Sequence, residues 1–224
     1  MKKEFIKRLI SSIMLIPIVL FFIIKGSYLF NLFIILCFLI IFYEWCKMSK
    51  KKYYNIFGFI FLFFSFYSIY KLRNDFIGDH YYLLLITFIC VFTDIGGYFF
   101  GKLFKGPKLT KLSPNKTYAG MIGGYILSIL FVIIISKTNF LSELNLKLNF
   151  NFILFIFFIS TISQLGDILI SYFKRLSNLK DTGKLIPGHG GLLDRIDGII
   201  FAIPFASIYL FGFDHFKEMI YFYF

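Results

Sequence analysis

Seven apolar runs separated by short polar breaks dominate the chain, at residues 9–24, 27–46, 55–70, 80–100, 118–136, 150–171 and 197–213. Most approach the ~20 residues that a helix needs to cross the hydrocarbon core of a bilayer. In lipid, helices close their own backbone hydrogen bonds within one segment, so runs of this length predict spanning helices. A soluble domain of 224 residues could not hide a sequence that is 58% hydrophobic and 22% aromatic in one core. The expected fold is all-α: a polytopic integral membrane protein of about seven transmembrane helices. It forms a single transmembrane domain over 1–224, in which 1–80 supplies N-terminal helices and 81–213 the catalytic helices and loops. The third run is short enough to be a half-span.

The basic residues set an orientation. The N-terminus and the breaks at 47–54, 101–117 and 172–196 hold eighteen of the 24 Lys and Arg residues, and the alternate breaks hold six. Cytoplasmic loops carry such an excess, which puts the N-terminus in the cytoplasm and the C-terminus outside. The same placement accounts for the net charge of +12 without a nucleic-acid partner, because the lysines lie between spans and not along a soluble face. The opening stretch, MKKEFIKRLISSIMLIPIVLFFIIKG, has a basic region before an apolar run but no A-x-A-like cleavage site. It reads as an uncleaved first helix. Cys37, Cys46 and Cys90 lack CxxC spacing and read as small buried hydrophobes.

Carboxylates within spans carry the functional signal. A charge deep in the bilayer costs at least ~2.5–3.5 kcal/mol, so such groups usually face a polar cavity or a partner. Glu44, Asp94 and Asp167 fall near the cytoplasmic ends of the second, fourth and sixth runs, and Asp194 and Asp197 open the seventh. Five acids at one depth beside the most basic loops predict a polar site open to the cytoplasm. On a helix, Asp194 and Asp197 share a face with Cβ atoms about 5–6 Å apart. Two acids that close suit a hard cation such as Mg²⁺, which completes its shell with water and substrate phosphates. The plainer reading is a helix-dipole role, with Arg195 neutralising one of them.

The segment KDTGKLIPGHGGLLDRID, residues 180–197, places Gly188, Gly190 and Gly191 just before that helix start. Backbone N–H groups freed by glycine and a helix N-terminus together favour an anion. Lys174, Arg175, Lys180 and Lys184 add positive charge on the same side. Acids for a metal, backbone for an anion and flanking cations suit a nucleoside triphosphate. His189 is open between a phosphate donor and an ordinary loop residue, whereas His80 and His215 read as interfacial. A second basic loop, 101–120, contains SPNKT, where Ser113, Lys116 and Thr117 gather donors at a helix start. It is not a P-loop, since no G-x-x-x-x-G-K-[ST] occurs.

Residues 171–197, SYFKRLSNLKDTGKLIPGHGGLLDRID, resemble the signature of the phosphatidate cytidylyltransferase (CDP-diacylglycerol synthase) family. Ser171, Lys174, Arg175, Lys180, Asp181, Pro187, His189, Gly190, Gly191, Asp194, Arg195 and Asp197 meet its specified positions. QLGD at 164–167, TDIGGYFFGK and SPNKTYAG are similar to further family stretches, so the resemblance covers about residues 90–200. Ala119 stands where the family usually has glutamate and Asn115 where it has lysine; Glu44 is the candidate to cover for that glutamate. The resemblance implies synthesis of CDP-diacylglycerol and pyrophosphate from CTP and phosphatidic acid with Mg²⁺. It implies a metal site at Asp167, Asp194 and Asp197, with phosphate contacts from Lys174, Arg175, Lys180 and His189. It also implies a bacterial inner (plasma) membrane enzyme with its site facing the cytoplasm; a homodimer is left open. Asp94 joins the expected substrate site with the 101–120 loop.

Two rivals remain. A CTP-dependent polyprenol or phytol kinase would transfer a γ-phosphoryl group and release CDP. An ion-coupled transporter would need mid-depth polar residues and often an inverted repeat, and neither is seen. A CDP-alcohol phosphotransferase is excluded, because Asp197-Gly198 continues as IIFAI and not toward the required A-R.

Overall fold

A computed structural model describes residues 15–50, 52–74, 80–110, 113, 116–138, 140–144, 148–186 and 190–223, with side chains of the last helix described through Leu210. All secondary structure among them is helical, apart from two isolated bridges. The helices are α1 (Leu15–Lys25), α2 (Ser27–Met48), α3 (Asn55–Asn74), α4 (Tyr81–Phe104), α5 (Tyr118–Ile135), the single turn α6 (Phe140–Glu143), α7 (Phe150–Leu176) and α8 (Leu193–Tyr223). Each predicted apolar run therefore contains a helix. Five of them, α2 to α5 and α7, are long and apolar enough to cross a membrane. The chain is an integral membrane protein. The third run gives a full 20-residue helix and not a half-span. The expected uncleaved N-terminal segment lies mostly outside the described residues. Cys90 is buried, Cys37 and Cys46 half-buried, and all three are free thiols.

Helix pairing follows small residues and buried polar contacts, as it must where lipid removes the hydrophobic drive between helices. α4 and α5 lie closely together because their contact is made of glycine. A methyl group added at Gly96 would collide with the carbonyl of Gly123, and one at Gly120 would stand 2.6 Å from the carbonyl oxygen of Gly97. Above this seam Thr93 donates to Ser160 on α7 (2.8 Å), tying α4 to a third helix. Trp45 of α2 donates to the carbonyl of Asn55 (3.1 Å) and meets Tyr54 and Phe173 edge-on. Tyr54 also hydrogen-bonds Ser177 (2.8 Å), so the α2–α3 connection docks on the end of α7. At the other end of α3, buried Arg73 donates to the carbonyls of Ile23 (2.7 Å) and Ile24 (3.3 Å). A guanidinium there satisfies orphan acceptors at the C-terminus of α1.

α8 packs between α7 and α3, and it contains Pro204. Proline has no N–H, so the carbonyl of Ile200, four residues earlier, loses its helical donor. Ser65 of α3 takes that place with a 2.8 Å hydrogen bond, sharing its single proton with the carbonyl of Phe61 at 2.9 Å. Ser65→Ala is expected to destabilise the protein by about 1 kcal/mol. In a Pro204→Ala background the residue-204 amide supplies the missing donor, and the same change should then cost close to nothing. A double-mutant cycle on unfolding in bilayer mimetics checks this; equal costs in both backgrounds would contradict it.

Candidate functional site

One turn after another, α7 directs Gln164, Asp167, Ser171 and Lys174 along one face, at helical spacing. This face, the start of α8, the end of α4 and the loop before α5 enclose a cavity of about 490 Å³. Asp94, Asp167, Asp181, Asp194 and Asp197 line it, with Lys116, Lys174 and Arg195.

The start of α8 is held by carboxylates of the protein itself. Glu44, buried on α2, accepts from the amide of Leu192 at Oε1 (2.9 Å) and from that of Leu193 at Oε2 (2.8 Å). Asp194 Oδ2 accepts from the amides of Gly191 (2.9 Å) and Thr182 (2.8 Å). The Thr182 hydroxyl lies 3.0 Å from both Glu44 Oε2 and Asp194 Oδ2 and bridges them. Lys174 completes the chain by donating to Asp194 Oδ1 at 2.8 Å. Gly191 has to be glycine, because a side chain would run into Thr182 and the Glu44 carboxylate.

This arrangement corrects two expectations. The amide of Gly191 is engaged by Asp194 and that of Gly190 by the carbonyl of Ile186, so neither is open to a substrate phosphate. The anion at this helix start belongs to the chain, since orphan N–H groups bind the nearest carboxylates. Glu44, expected in the cavity, does not line it; both of its oxygens face α8 and Thr182.

On the opposite wall, Pro107–Leu109 lie alongside Lys116–Tyr118. The amide of Leu109 donates to the carbonyl of Lys116 (2.8 Å), and Thr117 caps α5 by accepting from the amide of Gly120 (3.1 Å). Lys116 is thereby aimed at α7, where it pairs with Asp167 at 2.5 Å and reaches the carbonyl of Gln164 at 3.4 Å. Asp167 also accepts a long hydrogen bond from Ser171 (3.4 Å). Asp197 accepts the amide of Gly198 at Oδ1 (2.9 Å).

Of the expected residues, Asp94, Asp167, Asp194, Asp197, Lys174, Ser113, Lys116, Thr117 and Arg195 share the cavity lining. Arg175 and Lys180 do not line it; Arg175 is exposed and donates to the carbonyl of Leu179 (3.1 Å), closing the end of α7, and Lys180 is exposed. Lys184 lines a separate groove against α2. Gly188 and His189 lie outside the described residues. Asp181 and Gln164 line the cavity although sequence reasoning gave them no role, and Thr182 was missed altogether. Asp181 stood in the signature and could have been taken from it. Nothing in the local sequence marks Thr182, whose partners are 138 and 12 residues away.

Fold and site together define a membrane-embedded helical protein with an acid-and-lysine cavity at one end of its bundle. The pattern that defines the cytidylyltransferase family matches residues 6–81 and 55–213, and the chain belongs to that family. It is similar to a protein of Rickettsia typhi named phosphatidate cytidylyltransferase, 34% identical over 209 residues, or 91% of this chain and 90% of that one. Proteins of the same name from Staphylococcus haemolyticus and Haemophilus influenzae are 40% and 42% identical over 148 and 135 residues. Those alignments take in 65% and 58% of this chain, and the chain spans about half the length of either relative, 54% and 46%.

The two lysines are expected to differ when removed. The Lys174–Asp194 pair has side chains only 11% and 4% exposed, so Lys174→Met strands a buried carboxylate and should destabilise by about 3–5 kcal/mol. The Lys116–Asp167 pair is 24% and 30% exposed, and Lys116→Met should cost about 1 kcal/mol or less. Thermal unfolding of both variants tests the order; a costlier Lys116 change would contradict it.

Proposed function

We propose that the chain transfers the cytidylyl group of CTP to phosphatidic acid, giving CDP-diacylglycerol and pyrophosphate. The observation that carries this reading is the cavity itself, in a chain of the cytidylyltransferase family: carboxylates and lysines converge at the ends of membrane helices. A phosphate oxygen of the lipid attacks the α-phosphorus of CTP, forming one P–O bond. The bond to the β-phosphate oxygen breaks, and pyrophosphate leaves. No covalent enzyme intermediate is needed. The lipid keeps its chains in the bilayer and presents only its headgroup, so the site has to sit at the membrane surface.

Lys116, Lys174 and Arg195 are the cations in the lining that face the bringing together of two anions. Lys116 is the one we assign to substrate phosphate: its pairing with Asp167 is half-open to water and exchangeable. The lining has five carboxylates against those three cations, which would repel a triphosphate arriving alone. Added Mg²⁺ fits that balance. Asp167 and Asp197 would hold it, since both oxygens of Asp194 already accept hydrogen bonds and recruiting them means releasing Lys174 or the loop. Mg²⁺ needs only one or two carboxylates when substrate phosphates supply the rest. Bound there, the ion would neutralise phosphate charge and stabilise the departing pyrophosphate. Seven spans, a cytoplasmic N-terminus and a site facing the cytoplasm of a bacterial inner membrane complete the reading, supported by the charge asymmetry of the loops.

The test incubates purified protein with Mg²⁺, labelled CTP and phosphatidic acid. The expected products are a labelled lipid and unlabelled pyrophosphate. Labelled CDP with a phosphorylated alcohol would point to a kinase, and no labelled lipid would overturn the proposal. Asp167→Asn is expected to lower turnover roughly 10²–10³-fold while the protein still inserts; near-normal turnover would remove Asp167 from the site.

A further inference from the structure

A second groove of about 400 Å³ lies between α2 and the segment Thr182–Leu185 and shares no lining residue with the first cavity. Its walls are Leu39, Tyr43 and Leu185, which are 55%, 66% and 57% exposed. Leu39 and Tyr43 continue the outward face of α2 that also exposes Leu32, Ile35 and Leu36. On a membrane-spanning helix that face is covered by acyl chains. At the end of the groove stand Lys47, in the last turn of α2, and Lys184, from the loop; both are exposed. The carboxylate that also borders the groove, Glu44, directs its oxygens at the amides of α8 and at Thr182.

Apolar walls leading to two ammonium groups specify an amphiphile with an anionic head. A soluble phosphate would leave the walls wet, and a neutral lipid would leave both lysines unneutralised. We infer that this groove binds an anionic phospholipid, with its phosphate between Lys47 and Lys184 and a chain along Leu39 and Tyr43. The site is separate from the reaction cavity but is linked to it through one hydrogen bond, from Thr182 to Asp194. Thr182 lines the groove and also bridges Glu44 to Asp194. A lipid seated there braces the loop that positions Asp194. The inference stands whether or not the chain transfers cytidylyl groups, because its test needs neither CTP nor turnover.

The test is native mass spectrometry of the full chain released from phosphatidylcholine nanodiscs containing some phosphatidylglycerol. The wild type is expected to keep one phosphatidylglycerol, and Lys47→Gln/Lys184→Gln to lose it roughly tenfold or more. Lys47→Arg/Lys184→Arg and the control Lys102→Gln/Lys108→Gln should keep it. Equal retention by the glutamine variant would overturn the site, as would equal retention of phosphatidylcholine, loss in the control, or displacement by soluble glycerol phosphate. A second measurement uses the unaltered chain: a photoactivatable phosphatidylglycerol should cross-link to residues 39–47 and 182–185, and labelling confined to other segments would sink the idea.

Discussion

The α8 side of the cavity rests on one buried carboxylate. Glu44 comes from α2, in the third of the chain that the signature motifs do not reach, yet it holds the first amides of α8 and the Thr182 hydroxyl. A helix start buried without acceptors would leave N–H groups unsatisfied, at about 1–3 kcal/mol each. A charge buried without donors would cost more. Each solves the problem of the other, and the bonds between them are of the stronger, charge-assisted kind. From that point the chain Glu44, Thr182, Asp194, Lys174 runs without a break to α7. The loop between α7 and α8 is fixed at both ends by it.

The opposite wall depends on a different constraint. Glycine contacts let α4 and α5 approach backbone to backbone, which sets the mouth of the loop that carries Lys116. The two halves meet at the Lys116–Asp167 pair. One side of the cavity is built on buried hydrogen bonds, and the other is joined by a partly exposed ion pair.

The sequence was most informative where physics is local. Among the described residues, apolar runs located each of the seven helices longer than one turn, and the depth of Asp94, Asp167, Asp194 and Asp197 predicted a shared cavity, which the lining contains. It was least informative where partners are distant. The glycines before α8 were read as an open anion site, because spacing cannot reveal that Asp194 engages the amide of Gly191, the carbonyl of Ile186 that of Gly190, and Glu44 those of Leu192 and Leu193. The last apolar run starts at 197, although Asp194 already reads as opening its helix; α8 begins at Leu193, where Glu44 from another helix accepts its first amide and carries it through charged residues that apolarity alone excludes. Arg175 and Lys184 carry the right charge for phosphate but face away, a matter of loop path that composition does not encode. Pro204 sits inside α8, and the contact that makes it tolerable comes from Ser65, 135 residues before its acceptor Ile200.

The account's central claim is that Glu44 organises the reactive end from outside the cavity. Hydrogen exchange of Glu44→Gln in nanodiscs tests it most directly, because glutamine keeps the shape and one acceptor oxygen but removes the charge. Weakening charge-assisted bonds of about 1.5–3 kcal/mol should speed exchange roughly tenfold to a hundredfold at the amides of Leu192 and Leu193, which donate to Glu44. The α4–α5 seam should exchange as before. Unchanged protection at Leu192 and Leu193 would contradict the account, and so would loss of protection spread evenly over all helices.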